Sequence, residues 1–184
     1  MAELQFPDPP LADAVVLLRP WAADDVPEKV MAFADSSVQR FSWPHAREYT
    51  EADARNFFAH QDGARNRGEE LHFAFAAPHD PAVVFGGGSL YGVDLDQRRA
   101  GVGYWLAPTW RGCGIATRAT LLMAEHAFAA LGVLRLELTC GPDNEASQRV
   151  ASRCGFVREG TLRSHMPFKD QRRDTVMFSL LPGD

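Results

Sequence analysis

Nowhere does the 184-residue chain hold an apolar run near the roughly 20 residues that a membrane-spanning helix requires. The opening stretch Met1–Pro10 has two acidic side chains and no basic one, which is not the build of a secretory leader. A cytoplasmic protein without a membrane partner is expected. Three cysteines, Cys113, Cys140 and Cys154, form no Cys-x-x-Cys pair and cannot all be bridged, and none of the six histidines has another histidine four residues on. Metal sites use tightly spaced ligands, so no metal is expected, and the cysteines read as small packing residues in a reducing compartment. A basic excess is missing too. The formal net charge is −5, which argues against nucleic acid as a partner, because a phosphate backbone demands clustered cations.

What is present is an ordinary globular composition, 46% hydrophobic and 23% charged, in a length that suits one domain with a sizeable core. Residues 1–184 are taken as one domain, with Pro7, Pro9 and Pro10 making 1–14 a flexible arm. The charge is uneven: residues 1–97 hold 7 Lys and Arg against 16 Asp and Glu, a balance of −9, whereas 98–184 hold 12 against 8, a balance of +4. A basic half suits an anionic cofactor and an acidic half suits a cationic substrate. A split that serves only solubility is the alternative.

Hydrophobic periodicity gives the elements. Val15–Arg19, stopped by Pro20, reads as a strand. Asp24–Asp35 has helical spacing in Val26, Val30, Met31 and Phe33, and Arg40–Pro44 reads as an aromatic loop. Thr50-Glu51-Ala52-Asp53 resembles a capping box that opens a helix to Gln61 with Phe57 and Phe58 inside. Leu71–Ala76 and Ala82–Tyr91 read as strands about a turn at Pro78–Pro81, and Gly101–Leu106 as another, ended by Pro108. Ile115–Leu131 is a long helix, apolar nearly all round, with Gly132 past its end. Leu134, Leu136, Leu138 and Cys140 alternate with Arg135, Glu137 and Thr139. A short helix from Asn144 to Arg153, a strand opened by Gly155-Phe156 and a partner strand Thr175–Leu181 complete the chain.

The stretch that carries chemistry is Trp110-Arg111-Gly112-Cys113-Gly114-Ile115-Ala116-Thr117. It joins a strand to a long helix, where free backbone N–H groups and the helix dipole favour phosphate oxygens. Glycines at 112 and 114 let a ligand approach the backbone, Arg111 adds a cation, and Thr117 adds a hydroxyl. It is neither a Walker loop nor a dinucleotide fingerprint, since Gly-Lys-Ser/Thr and Gly-x-Gly-x-x-Gly are both absent. A plain tight turn into a buried helix is the alternative.

Arg111-x-x-Gly114-x-Ala116 resembles the pyrophosphate motif of the GNAT superfamily of N-acetyltransferases. Gly103-Tyr104-Trp105-Leu106-Ala107-Pro108 is similar to the strand that precedes it there, and Asn144-Glu145-Ala146-Ser147 with Gly155-Phe156 is similar to a later segment. The Gly-Tyr-Trp strand, the Asn-x-x-Ser helix and Arg172-Arg173-Asp174 resemble the subgroup that includes ribosomal-protein N-terminal acetyltransferases. The resemblance runs from about Ala100 to Leu181 and implies the GNAT fold: a mixed, mostly antiparallel sheet of about seven strands with helices on both faces. It implies acetyl-CoA as co-substrate, held by the backbone of Trp105, Leu106 and Ala107 in a slot beside a splayed strand, by Arg111, Gly112, Cys113, Gly114, Ile115, Ala116 and Thr117, and by Asn144.

Many members of the family carry a tyrosine as general acid four residues before the Gly of Gly-Phe, where this chain has Ala151. The resemblance puts Ser147 near the thiol instead, with Tyr104 and Tyr91 in reserve. Relatives often carry a glutamate on the strand before the Asn helix as the base, which matches Glu137; an ion pair between Glu137 and Arg135 is the competing reading. Phe41, Trp43 and His72 are candidates to line the amine pocket. The expected function is acyl-CoA-dependent transfer, acetyl by default, to the amine of a protein N-terminus, an amino acid or a small molecule, with assembly as a homodimer left open. A non-catalytic acyl-CoA-binding module and a transferase of a larger acyl group such as succinyl are the alternatives.

Overall fold

In this computed structural model, which describes residues 3–184, eight strands make one sheet. They are β1 (Leu11–Ala12), β2 (Leu17–Arg19), β3 (Leu71–Ala77), β4 (Asp80–Asp94), β5 (Arg99–Leu106), β6 (Arg135–Cys140), β7 (Val157–Phe168) and β8 (Gln171–Leu180). Their spatial order is β1-β2-β3-β4-β5-β6-β8-β7, and every pairing is antiparallel except β5 with β6. The strand beyond the seven expected is the two-residue β1. Among the described residues, no helix is long and apolar enough to cross a membrane.

Helices cover both faces. One face packs α4 (Ile115–Ala129) and α5 (Glu145–Arg153) over the main core, in which Leu136, Leu138, Val102, Met123 and Phe178 are buried. The other carries α1 (Val26–Phe33), α2 (Ser36–Ser42) and α3 (Glu51–Asn66) with a second, aromatic layer around Trp21, Trp43 and Trp105. Trp21 lies flat on β4 because residue 87 is glycine: a Cβ there would stand 2.4 Å from the indole ring. Trp21 in turn stacks on Trp105 at 5.9 Å with 12° between planes.

Local chemistry explains where the helices begin. Thr50 and Asp53 form the expected capping box at the start of α3, with the Asp53 N–H donating to Thr50 Oγ1 at 3.3 Å and the Thr50 N–H donating to Asp53 Oδ2 at 2.9 Å. Asn144 caps α5, its Oδ1 accepting from the Ser147 N–H at 3.1 Å.

Five sequence expectations are corrected. The proposed helix Asp24–Asp35 is shorter, and a separate α2 replaces the aromatic loop as far as Ser42. Asp35 ends one helix and caps the next, its Oδ1 accepting from the Ser37 and Val38 N–H groups at 3.0 Å each. Within the arm, residues 1 and 2 lie outside the described residues, but the rest is anchored. Leu4 is 3% exposed and donates its N–H to Arg65 O at 3.1 Å, Phe6 meets Phe73 edge-on, and Leu11 pairs with Leu18. The long helix α4 is buried on one side only, with Leu121 45% exposed on the other, and Leu134 stands outside the alternating strand at 46% exposed.

Candidate active site

The parallel pairing of β5 with β6 stops early. It holds from Arg99 opposite Arg135 to Gly101 opposite Glu137, while β5 stays paired with β4 as far as Leu106 opposite Gly86. Beyond Gly101 the two parallel strands therefore part, and a slot opens between them. Strand alternation decides which backbone groups look into it. Ala107 donates its N–H to Phe85 O at 2.9 Å, so Ala107 and, two residues back, Trp105 turn their backbone groups toward β4. Tyr104 and Leu106 turn theirs into the slot. Of the expected backbone set of Trp105, Leu106 and Ala107, only Leu106 then faces the slot, and Tyr104 joins it.

Two cavities meet at this slot. The first, of about 300 Å³, is lined by Tyr104, Trp105, Leu106, Arg111, Gly112, Gly114, Ile115, Ala116, Thr117, Asn144 and Ser147, joined by Phe41, Ser42 and neighbours from α2. One wall thus gathers nearly every residue expected to hold the cofactor; Ala107 and Cys113 do not line it. At its mouth stands the start of α4. Gly112 and Gly114 have φ of +77° and +79°, left-handed values that favour glycine. Nothing lies within 4 Å of a Cβ built at either position, so the backbone faces open space there. Arg118 makes the first helical bond, to Gly114 O at 3.1 Å, and no side chain caps the helix. Among the described residues, no group accepts from the N–H of Ile115, Ala116 or Thr117, which leaves a helix end free to receive an anion.

Arg111 is less free than the sequence suggested. Its guanidinium bonds Asp35 at 2.5 Å and the Leu106 carbonyl at 3.2–3.3 Å. Burial pushes the Asp35 carboxyl up, but hydrogen bonds from Arg111 and the α2 backbone outweigh it and leave the carboxyl below its usual range. This ion pair ties the loop to α2.

At the inner end of the first cavity, the Tyr104 hydroxyl lies 3.1 Å from Ser147 Oγ. Burial raises the Tyr104 phenol well above its usual value, more than the Ser147 hydrogen bond lowers it, so the phenol keeps its proton and stands as a hydrogen-bond donor. Two thiols lie near the same helix. Burial pushes Cys154 up to about 11 and raises Cys140 too, which keeps both as thiols and disfavours a covalent acyl-cysteine. Cys113 is exposed on the loop.

The second cavity, of about 650 Å³, shares Ser42, Tyr104 and Trp105 with the first and continues between α1, α3 and the sheet. Trp43 and His72 line it as expected; Phe41 lines the first cavity instead, because α2 carries it to that side. His72 Nε2 lies 2.6 Å from Glu70 Oε2, and its ring meets Phe57 edge-on. The tip of the β7–β8 hairpin reaches over this region, where Lys169 donates its N–H to Pro44 O at 2.6 Å.

Glu137 is not brought to the site. It lines neither cavity, and its Oε1 accepts from Arg135 Nε at 2.7 Å, while Arg135 also grips Glu159 of β7 at 2.6 and 2.8 Å. The ion-pair reading is the one the geometry displays. Sequence reasoning missed Lys29, Trp21, Tyr49 and Phe57, which line the second cavity. For Lys29 a signal existed: it sits three residues after Val26 and four before Phe33, on the buried stripe of α1.

A sheet parted between two parallel strands, with an uncapped helix end at its mouth, has the shape of the α/β proteins that take an extended anionic cofactor between strands. The chain belongs to the GNAT acetyltransferases: the family model described as acetyltransferase (GNAT) domain matches residues 16–157. It is 36% identical over 93 residues to YdaF of Bacillus subtilis (strain 168), provisionally named a ribosomal N-acetyltransferase, across 50% of this chain and 51% of that one. The chain thus spans about half the length of that relative. Against the probable N-acetyltransferase YjcK of the same organism it is 26% identical over 179 residues, 95% of this chain and 98% of the other. The crystal structure of a GNAT-family acetyltransferase from Bacillus anthracis shares the fold at a TM-score of 0.82 and 22% identity, covering 95% and 99% of the two chains.

Proposed function

We propose that the protein transfers the acetyl group of acetyl-CoA to a primary amine by direct attack. The observation that carries this reading is the pair of cavities meeting at Tyr104 and Trp105, one opening onto the free helix end and the other onto an aromatic chamber. The first suits the donor. Backbone groups of Leu106 and Tyr104 pair with the pantetheine amides, and the N–H groups at Gly112 to Thr117 take the pyrophosphate. The second suits the acceptor.

In the reaction the amine nitrogen bonds to the thioester carbonyl carbon, the carbon–sulfur bond breaks, and the thiolate leaves. Tyr104 and Ser147, already hydrogen-bonded to each other, stand where a proton can be supplied to that thiolate. With both buried thiols protonated, the amine attacks the thioester directly. The amine's proton passes to water in the open chamber, and the protein contributes chiefly by positioning. Family membership and the likeness to named N-acetyltransferases support the chemistry. A protein N-terminus, an amino acid and a small-molecule amine are all candidate acceptors.

The test is release of free thiol from acetyl-CoA in the presence of a panel of amines, with acetyl and succinyl donors compared. Amine-dependent release with acetyl-CoA supports the reading. CoA binding without release on any amine would replace it with a regulatory binding module, and a preference for succinyl-CoA would change the donor.

A further inference from the structure

The second cavity holds a buried cation that nothing in the protein partners. Lys29 is 3% exposed, and its ammonium makes no hydrogen bond or ion pair among the described residues. It sits against four aromatic rings, 3.8 Å from the centroid of Phe57, 4.8 Å from Phe33, 5.0 Å from Trp105 and 5.1 Å from Trp21. Such a box is the arrangement that receives a substrate ammonium in cation-binding sites. Here the protein fills it with its own side chain.

Two carboxylates that could answer Lys29 are held elsewhere. Asp25, one turn earlier on the chain, is gripped by Arg19 at 2.7 and 2.8 Å. Asp53, the one acidic side chain lining the cavity, is clamped by Arg47 through two bonds of 2.6 Å. The other titratable groups on the walls are His45 and Tyr49 before α3, His60 on it, His72 on β3 and Tyr104 on β5, and none of them carries a negative charge at neutral pH. A chamber built this way repels a second ammonium at depth and leaves an ion pair half made.

We infer that Lys29 anchors an anionic group of the acceptor, so that the acceptor is an amine that also bears a carboxylate, such as an amino acid or a compact amino-acid derivative, and not a polyamine. This rests on the acetyl-transfer reading above. It also reverses the expectation, drawn from the acidic N-terminal half, of a cationic substrate: of that acidity only Asp53 lines the chamber, and Arg47 holds it. The burial that strips water from Lys29 pushes its pKa down to about 7. An arriving carboxylate supplies the partner that burial removed and holds the proton on.

The experiment compares matched acceptors with and without a carboxylate, namely phenylalanine with phenethylamine and 4-aminobutyrate with butylamine, alongside spermidine. The wild-type protein should favour the carboxylated member of at least one pair by about ten-fold or more in kcat/KM, the scale of one charge-assisted contact. In Lys29→Met that ratio should collapse toward one, while Lys29→Arg should retain part of it. Should either variant fail to fold, 3-phenylpropionate serves on the wild-type protein and should inhibit competitively with the amine, whereas 3-phenylpropanol should not. A wild-type ratio near one, spermidine as the best acceptor, or a Lys29→Met variant that slows both members of a pair equally overturns the inference while leaving acetyl transfer standing. Failure to acetylate any amine overturns both.

Discussion

The two cavities are built on different principles. The donor side draws on backbone: strand groups exposed where β5 leaves β6, and helix N–H groups freed by two glycines in left-handed conformation. The proposed acceptor side draws on side chains from α1, α3, β3 and the loop between α2 and α3, Lys29 among them. Backbone recognition depends on chain path and tolerates many side chains, so the first site defines a cofactor. Side-chain recognition changes with every substitution, which suits the proposed role of the second site in selecting a substrate.

The comparison breaks most sharply where the cavities touch. If Tyr104 and Ser147 act together on the leaving thiolate, Ser147→Ala and Tyr104→Phe should each lower kcat on the order of a hundred-fold with little change in acetyl-CoA affinity. The double variant should then be little worse than either single one, because the hydroxyls share one hydrogen bond. Losses below about three-fold in both would assign proton supply to solvent.

On the donor side, Gly114→Val should weaken CoA binding ten- to a hundred-fold, roughly 1.4–2.7 kcal/mol, since it fills the open space at the helix end and strains a left-handed residue. Calorimetry on the folded variant reads this directly. Arg111→Ala should weaken binding less, about three-fold, because Asp35 and Leu106 O already hold that guanidinium.

On the acceptor side, the buried ammonium should show itself in stability. Between pH 7 and the usual lysine value of 10.5 the unfolded chain binds a proton that folded Lys29 has given up, so stability contributed at this position rises with pH through that window. The melting temperature of the wild-type protein relative to Lys29→Met should climb by on the order of 5 °C from pH 7 to about pH 9.5. A flat difference would mean that the aromatic box keeps the lysine charged.

The smallest effect is expected at Glu137→Gln, which lies outside both cavities. Activity should stay within about two-fold, and the half-exposed ion pair with Arg135 should be worth less than about 1 kcal/mol of stability. A ten-fold loss in kcat/KM near pH 7 would restore its reading as the base.

These contrasts also explain what was readable in advance. The donor side is nearly continuous in sequence, from Tyr104 to Thr117 with Asn144 and Ser147 close behind, so strand, proline, glycine pair and helix announce it by local rules. The acceptor side is joined by long-range packing. Nothing local distinguishes Trp21 or Phe57 in a chamber wall from the same residues in a core. Alternation placed Glu137 correctly on the face away from the leucines, yet it could not reveal Arg135 bridging to Glu159, which comes from a strand two places across the sheet. Prolines hid the anchoring of the N-terminal segment, whose apolar positions Leu4, Phe6 and Leu11 hold it to the core.

The wall of Tyr104 and Trp105 that the two cavities share has a consequence in time as well as in space. The two chambers share Ser42 as well, and burial keeps Cys140 and Cys154 as thiols that do not store the acyl group between visits. Under the direct-attack reading proposed above, both reactants are aboard at once, and neither product leaves before the second reactant arrives. Initial rates measured against one reactant at several fixed levels of the other should give reciprocal plots that intersect, not parallel ones.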